Sequence, residues 1–261
     1  MPLLKHVAAS LAACLALSAT SLSASAGERL DKIMESKVLR VGTPGDYRPF
    51  AMKTDKGGFE GHDIDVIESL AKDLGVKVEY VQTSWPNLMA DIQAGKFDVA
   101  VGGITRNAAR IGKVQMLPGY APFGKVALVR TDEQAKYKSV DDLNQDSVRV
   151  IKNPGGTNEA FVLANLTRAQ VSTHDKNAEI PGLIAEGKGD VMITETYEAL
   201  HYSHVDKRLT AKFIDAPLTP TSFLGFMVPV DDADFVRVMD YAWDLTERRG
   251  GLDKAAERWL K

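Results

Sequence analysis

The feature that most constrains this chain is a repeated coupling of a short β-branched run to a helical pattern. VLRVGT precedes HDIDVIESLAKDLG, KVEYVQ precedes PNLMADIQAGK, FDVAVGGI precedes NAARIG, and VRVIKNPGG precedes TNEAFVLANL. A strand followed at once by a helix predicts parallel sheets with helices on both faces, an α/β protein. Gly75, Gly95, Gly187 and Gly189 each follow a helical stretch. A residue tolerant of positive φ ends a helix cheaply at such places.

Ahead of these couples, MPLLKH, the apolar VAASLAACLALSAT and the small-residue ASA at 24–26 have the layout of a cleavable secretory leader. A second reading places a lipoprotein signal at LAAC, with Cys14 carrying the anchor, although the residues after it stay apolar where a polar tether is usual. Removing residues 1–26 from the 261 leaves 235, enough for two lobes, and takes away the only cysteine. The exported product therefore has no disulfide and relies on its core. Loss of Lys5 moves the formal charge from −3 to −4, and no basic run offers a nucleic-acid footprint. Past the leader no apolar run approaches the ~20 residues that span a bilayer.

The polar stretch TDEQAKYKSVDDLNQDS at 131–147 separates a first βα block from a second that starts at Val148. APLTPTSFLGFMVP at 216–229 holds three prolines and then an apolar extended run, a pattern that lets the chain cross back. Ligands of open α/β sheets bind beyond the carboxyl ends of strands, so the cleft between the lobes is the expected site.

Several residues invite a chemical reading. NPGGTNE sets two glycines before Thr157 and Asn158 where a strand meets a helix. Such glycines, Gly156 among them, let backbone approach a ligand, and free N–H groups of the next turn favour an anion; a tight capped turn is the plainer account, and both can hold. VMITETYE runs a strand into Glu195 and Glu198. Acids in a first helical turn commonly answer the macrodipole at about 0.3–1 kcal/mol. His201 and His204 have no third ligand spaced to make a metal site and read as exposed helix residues, and Arg106 reads as a surface residue. No Walker loop, GxSxG elbow or dinucleotide fingerprint is present, and neither metal nor cofactor is expected.

GTPGDYRPF, GHDIDVIESLAKDLG, DVAVGGITRNAAR, NPGGTNEAF, GDVMITETYEA and GGLDKAAERWL resemble, in order and spacing, the periplasmic solute-binding proteins of the polar amino-acid type. The resemblance covers essentially the whole chain after the leader. It implies a type II two-lobed fold joined by two crossing strands, with 27–123 and 222–261 as the first lobe and 124–221 as the second. Within that family TSWPNLM, NPGGTNE and Glu198 are similar to the periplasmic cyclohexadienyl dehydratases, which convert prephenate to phenylpyruvate or arogenate to phenylalanine.

By that resemblance Arg110 grips a ligand carboxylate, with Thr105 as companion hydroxyl, and Tyr47 and Trp85 are aromatic walls. Lys125 meets a second carboxylate or is a hinge-surface cation. Glu195 lies where amino-acid binders keep an acid for the ligand's α-amino group, Glu198 is the general acid, and Asn153 gives a supporting polar contact. Thr196-Tyr197 and VGGITRN depart from the enzyme pattern. Two functions follow. One is a dehydratase acting on a small carboxylate; the other is a binding protein that delivers an amino acid to an ABC permease.

Overall fold

The computed structural model describes residues 27–261; the leader and its alternative at Cys14 lie outside the described residues. Two five-stranded sheets organise the chain. In the first the order is Lys77–Gln82, Val38–Thr43, Val99–Ala100, Met227–Val228, Gln115–Met116. In the second it is Gln170–Thr173, Arg149–Lys152, Val191–Glu195, Lys125–Arg130, Leu209–Lys212.

The expected parallel sheets are present, and each also holds one reversed strand. Four strands of each sheet run the same way, but Met227–Val228 and Lys125–Arg130 run against both of their neighbours. These two strands follow the chain's passages between the sheets. A strand entered from the other body arrives at the opposite end from one entered after a crossover helix. The passages themselves, Tyr120–Phe123 and Ser222–Leu224, pair antiparallel with Ser222 opposite Phe123.

Helices cover both faces of each sheet. Leu39, Val41 and Val99 pack with Ile64, Ile67 and Leu70 of helix His62–Leu74 and with Phe235 and Trp243 of helix Ala233–Arg248. Ala100 and Met227 pack on the other side with Leu88 and Ile92. In the second sheet Ala127 and Val129 join Val162 and Leu166, while their strand neighbours Val126 and Leu128 join Ile180, Ile184 and Ala199. Alternate side chains thus feed two cores, which is why the sheet's inner strands read as unbroken apolar runs.

Each sheet also carries the same ionic lock. Asp98, just before its strand, accepts from Arg40 N, Nε and Nη2 at 3.0, 3.1 and 2.6 Å. Asp190 accepts from Arg149 N, Nε and Nη2 at 2.9, 3.0 and 2.7 Å. Burial pushes the Asp190 carboxyl up, but Arg149 and Arg130 outweigh it and hold it at about 2.

Gly75, Gly95 and Gly187 end helices with φ of 69°, 68° and 73°. Gly189 differs from the expectation: it has no positive φ, and a Cβ there would lie 2.6 Å from Ile151 Cδ1, so close packing is what requires it.

Candidate active site

Strand Val191–Glu195 is buried at all five positions and delivers Glu195 to the point where helix Thr196–Val205 begins. Glu195 is 3% exposed. Its Oε1 accepts from Lys125 Nζ at 2.9 Å, Thr105 Oγ1 at 2.8 Å and Thr157 Oγ1 at 3.4 Å. Its Oε2 accepts from the Tyr47 hydroxyl at 2.7 Å. Tyr47 and Thr105 belong to the segments around the first sheet, Lys125 and Thr157 to the second. The carboxylate therefore sits in a cage of donors assembled from both bodies. Burial lowers the Lys125 ammonium from its ordinary value, while Glu195 opposes that shift. Lys125 also donates to Thr157 Oγ1 at 2.8 Å and Asn158 Oδ1 at 2.5 Å. It is buried, not a surface cation, and its carboxylate partner is the chain's own.

Beside the cage lies a cavity of about 20 Å³. Tyr47, Trp85, Thr105, Arg110, Asn153, Gly156, Thr157, Asn158 and Glu195 line it together with Gly103. Nine of the eleven residues singled out in the sequence thus converge on one place; Lys125 belongs to the cage but not to the lining, and Glu198 is not in the lining. Arg110 spends one bond, from Nη1 to the Thr105 carbonyl at 2.7 Å, and makes no ion pair among the described residues. The rest of its fork is free for a carboxylate. The Trp85 ring meets Tyr47 edge-on at 5.7 Å and 78°, and its Nε1 donates to Asp46 Oδ1 at 2.9 Å.

Gly155 and Gly156 have different duties. Gly156 lines the cavity, as read from the sequence. Gly155 instead has φ +82°, and a Cβ there would fall 2.5 Å from Pro86 N. It lets NPGG and TSWP touch across the cleft.

Glu198, in the first turn of helix Thr196–Val205, is 0% exposed. Asn177 Nδ2 donates to its Oε1 at 2.7 Å, and the Thr194 hydroxyl donates to Oε2. Burial, and after it the nearby charges of Asp46 and Glu195, push its carboxyl well above the ordinary 4.5, although Thr194 and Asn177 oppose this. Asp46 is raised in the same direction, chiefly by burial. A carboxyl raised in this way is better suited to give up a proton than one at its ordinary value.

The sequence reading missed three residues that shape this region: Asn177, Thr194 and Asp63. Asp63 is fully buried, pairs with His62 Nδ1 at 2.8 Å, and accepts from Gly102 N and Gly103 N at 2.9 and 2.8 Å. It pins the turn on which the Tyr47 ring lies, since a Cβ at Gly103 would meet that ring at 2.6 Å. Two surface expectations are corrected. Arg106 is half-buried along Gly119 and Gly225 at the crossing, and His201 is half-buried with its ring edge-on to Tyr202. His204 is exposed.

A larger cavity of about 840 Å³ lies at the far side of the first sheet among Arg29, Arg40, Asp98 and Asp231. Its charges are spent on one another, with Arg29 bonded to Asp98 at 2.9 Å and to Asp231 at 2.8 Å. The small interlobe cavity has the unspent donors.

The chain resembles known proteins along nearly its whole length. The chain is 39% identical over 259 residues, 98% of its length and 95% of the relative's, to cyclohexadienyl dehydratase of Pseudomonas aeruginosa. It is 25% identical over 231 residues, 88% and 85% of the two chains, to the L-cystine-binding protein TcyJ of Escherichia coli. Among solved structures, an ancestral amino acid-binding protein described as a precursor of cyclohexadienyl dehydratase superposes with a TM-score of 0.82. It has 34% identity and covers 90% of this chain and 100% of that one. An ancestral cyclohexadienyl dehydratase with 46% identity superposes at 0.54, covering 89% and 96%. Residues 39–261 match the bacterial extracellular solute-binding proteins, family 3, and the chain belongs to that family.

Proposed function

We propose that this protein is a periplasmic cyclohexadienyl dehydratase that removes CO2 and water from prephenate or arogenate, with Glu198 as general acid. The observation that carries the reading is the fully buried Glu198, its carboxyl pushed up by burial, beside a cleft that holds an unspent arginine fork and two aromatic walls. In this reaction the bond from the ring to its carboxylate breaks and its electron pair moves into the ring. The C4–O bond breaks as the ring becomes aromatic. The hydroxyl leaves as water only if a proton reaches it, and a positioned donor is worth about 10²–10⁴-fold. Arg110 holds a substrate carboxylate, Tyr47 and Trp85 flank the ring, and Asn153, 4% exposed on the cavity wall, offers its amide to the leaving group.

A cavity of about 20 Å³ is far below the several hundred Å³ of a typical ligand site, so admission of substrate requires the lobes to part. The two ancestral structures support such a motion: the more similar chain superposes less well, as expected when like lobes meet at another angle. We take 27–123 with 222–261, and 124–221, as those lobes. The family's description as extracellular, with the leader-like start of the sequence, supports export to the periplasm.

The second reading, a binding protein serving an ABC permease, is favoured by Glu195, whose place suits a ligand's α-amino group, and by the amino-acid-binding relatives. Phenylpyruvate formed from prephenate, read by its absorbance in alkali, tests the first. A thermal-shift panel of amino acids tests the second. Turnover absent with an amino acid raising the Tm replaces the enzyme by the binder.

A further inference from the structure

Asn177 lies in a short 3-10 turn, Asn177–Glu179, well outside every motif that marks the site in the sequence. It is nonetheless 0% exposed. Its Nδ2 reaches two acceptors at once: Glu198 Oε1 at 2.7 Å and the backbone carbonyl of Asp46 at 3.3 Å. Glu198 and Asn177 belong to the second body, whereas Asp46 opens the hairpin that carries Tyr47 in the first. The bond to Asp46 therefore exists only while the cleft is shut, and the bond to Glu198 does not need the other lobe. Asn177 Oδ1 is buried with no partner among the described residues. Buried polar atoms are normally satisfied, and a residue needed only to fill space is served better by an apolar side chain.

Resting on the dehydratase reading, we infer that Asn177 is a positioning residue that couples closure of the cleft to the setting of Glu198 through this two-sided amide. When the lobes close, the Asp46 carbonyl fixes the amide plane, and the amide in turn fixes Oε1 of Glu198 while Thr194 holds Oε2. The acid is then rigid only when substrate is enclosed. Trp85, which donates to Asp46 Oδ1, ties the same strand to the aromatic wall and so links ring binding to this contact.

The titratable groups around Glu198 are Asp46 and Tyr47 across the cleft, Glu195 and Lys125 on the strands of the second sheet, and Tyr202 on its own helix. Asn177 donates to the charged form of Glu198, so its loss moves the acid's titration upward.

The test compares wild type, Asn177→Ala and the near-isosteric Asn177→Leu by kcat, KM and the pH profile of kcat with prephenate. Small displacements of a catalytic group cost about 10²-fold. The expected result is a fall in kcat of about 10–100-fold with KM within threefold, and an alkaline limb displaced to higher pH, in whichever variant keeps the wild-type Tm. A residue that merely packs would change Tm and leave the limb in place. Wild-type turnover accompanied by variants of unchanged kcat and unchanged limb overturns this inference alone. Absence of turnover in wild type removes the dehydratase reading and the inference with it.

Discussion

The hydroxyl of Tyr47 donates to Glu195 Oε2 across the cleft at 2.7 Å, so a carboxylate of the second body is held by a phenol of the first. Thr105 adds a second bond of the same kind at 2.8 Å. The closed form thus satisfies with its own side chain the donors that an entering ligand must otherwise meet. This explains both the small cavity and the closeness of the lobes.

Lys125 and Glu195 are the buried ion pair of this arrangement, with side chains 7% and 3% exposed. Glu195→Ala leaves an ammonium without a counter-charge in a dry place, and breaking such a pair from one side costs about 3–5 kcal/mol. Urea unfolding of Glu195→Ala, Lys125→Met and the double variant is expected to show each single change costing more than half of the double. Costs that simply add would mean that the two side chains do not depend on each other.

Arg110 contributes little to the closed fold, with one bond to the Thr105 carbonyl. Arg110→Lys is therefore expected to leave the unliganded Tm within a degree or so while weakening prephenate binding by about tenfold or more, because lysine cannot present a planar fork. Calorimetric titration checks this. Unchanged affinity would place the ligand carboxylate elsewhere.

Gly155 has φ +82°, and a Cβ there would strike Pro86 N at 2.5 Å, whereas a Cβ at Gly182 meets nothing within 4 Å. Gly155→Ala is expected to hold the lobes apart and cut turnover at least tenfold, while Gly182→Ala leaves it near wild type. Small-angle scattering with and without prephenate reads the closure directly. Ligand-induced compaction equal to wild type in Gly155→Ala would show that the contact does not gate closure.

Much of this was legible in the residues themselves. VMITE is buried at every position because it lies inside a sheet with cores on both sides, and a run of that kind declares its place by composition. The convergence of Tyr47, Trp85, Arg110, Asn153 and Thr157 follows from strand ends that face one cleft. What the sequence hid are partners fixed only by the approach of the two bodies. Asn177 and Asp46 are separated by 131 positions, and nothing in the local contexts DKNAE and PGDYR marks either as a neighbour of Glu198. The reversed strands Lys125–Arg130 and Met227–Val228 were hidden for a related reason: direction is set by how the chain enters a sheet, which periodicity does not record.

Glu198 supplies the last prediction, on pH. Its folded pKa lies above the ordinary 4.5, so between those values the folded chain holds a proton that the unfolded chain has released. The stability due to this group is whole below about 4.5 and is lost as the pH rises through the folded value. Asp46 moves the same way and remains in both proteins compared. Glu198→Gln keeps the neutral shape and removes the titration. Its Tm is therefore expected to match wild type near pH 4 and to exceed it increasingly toward pH 8, by about 2–4 °C for each kcal/mol. Turnover should fall about 10²–10⁴-fold across that range. Scanning calorimetry at pH 4, 6 and 8 beside prephenate assays separates the two effects. A Tm difference that does not change with pH would mean that Glu198 is ionised in the folded protein, and full turnover would remove it from the chemistry.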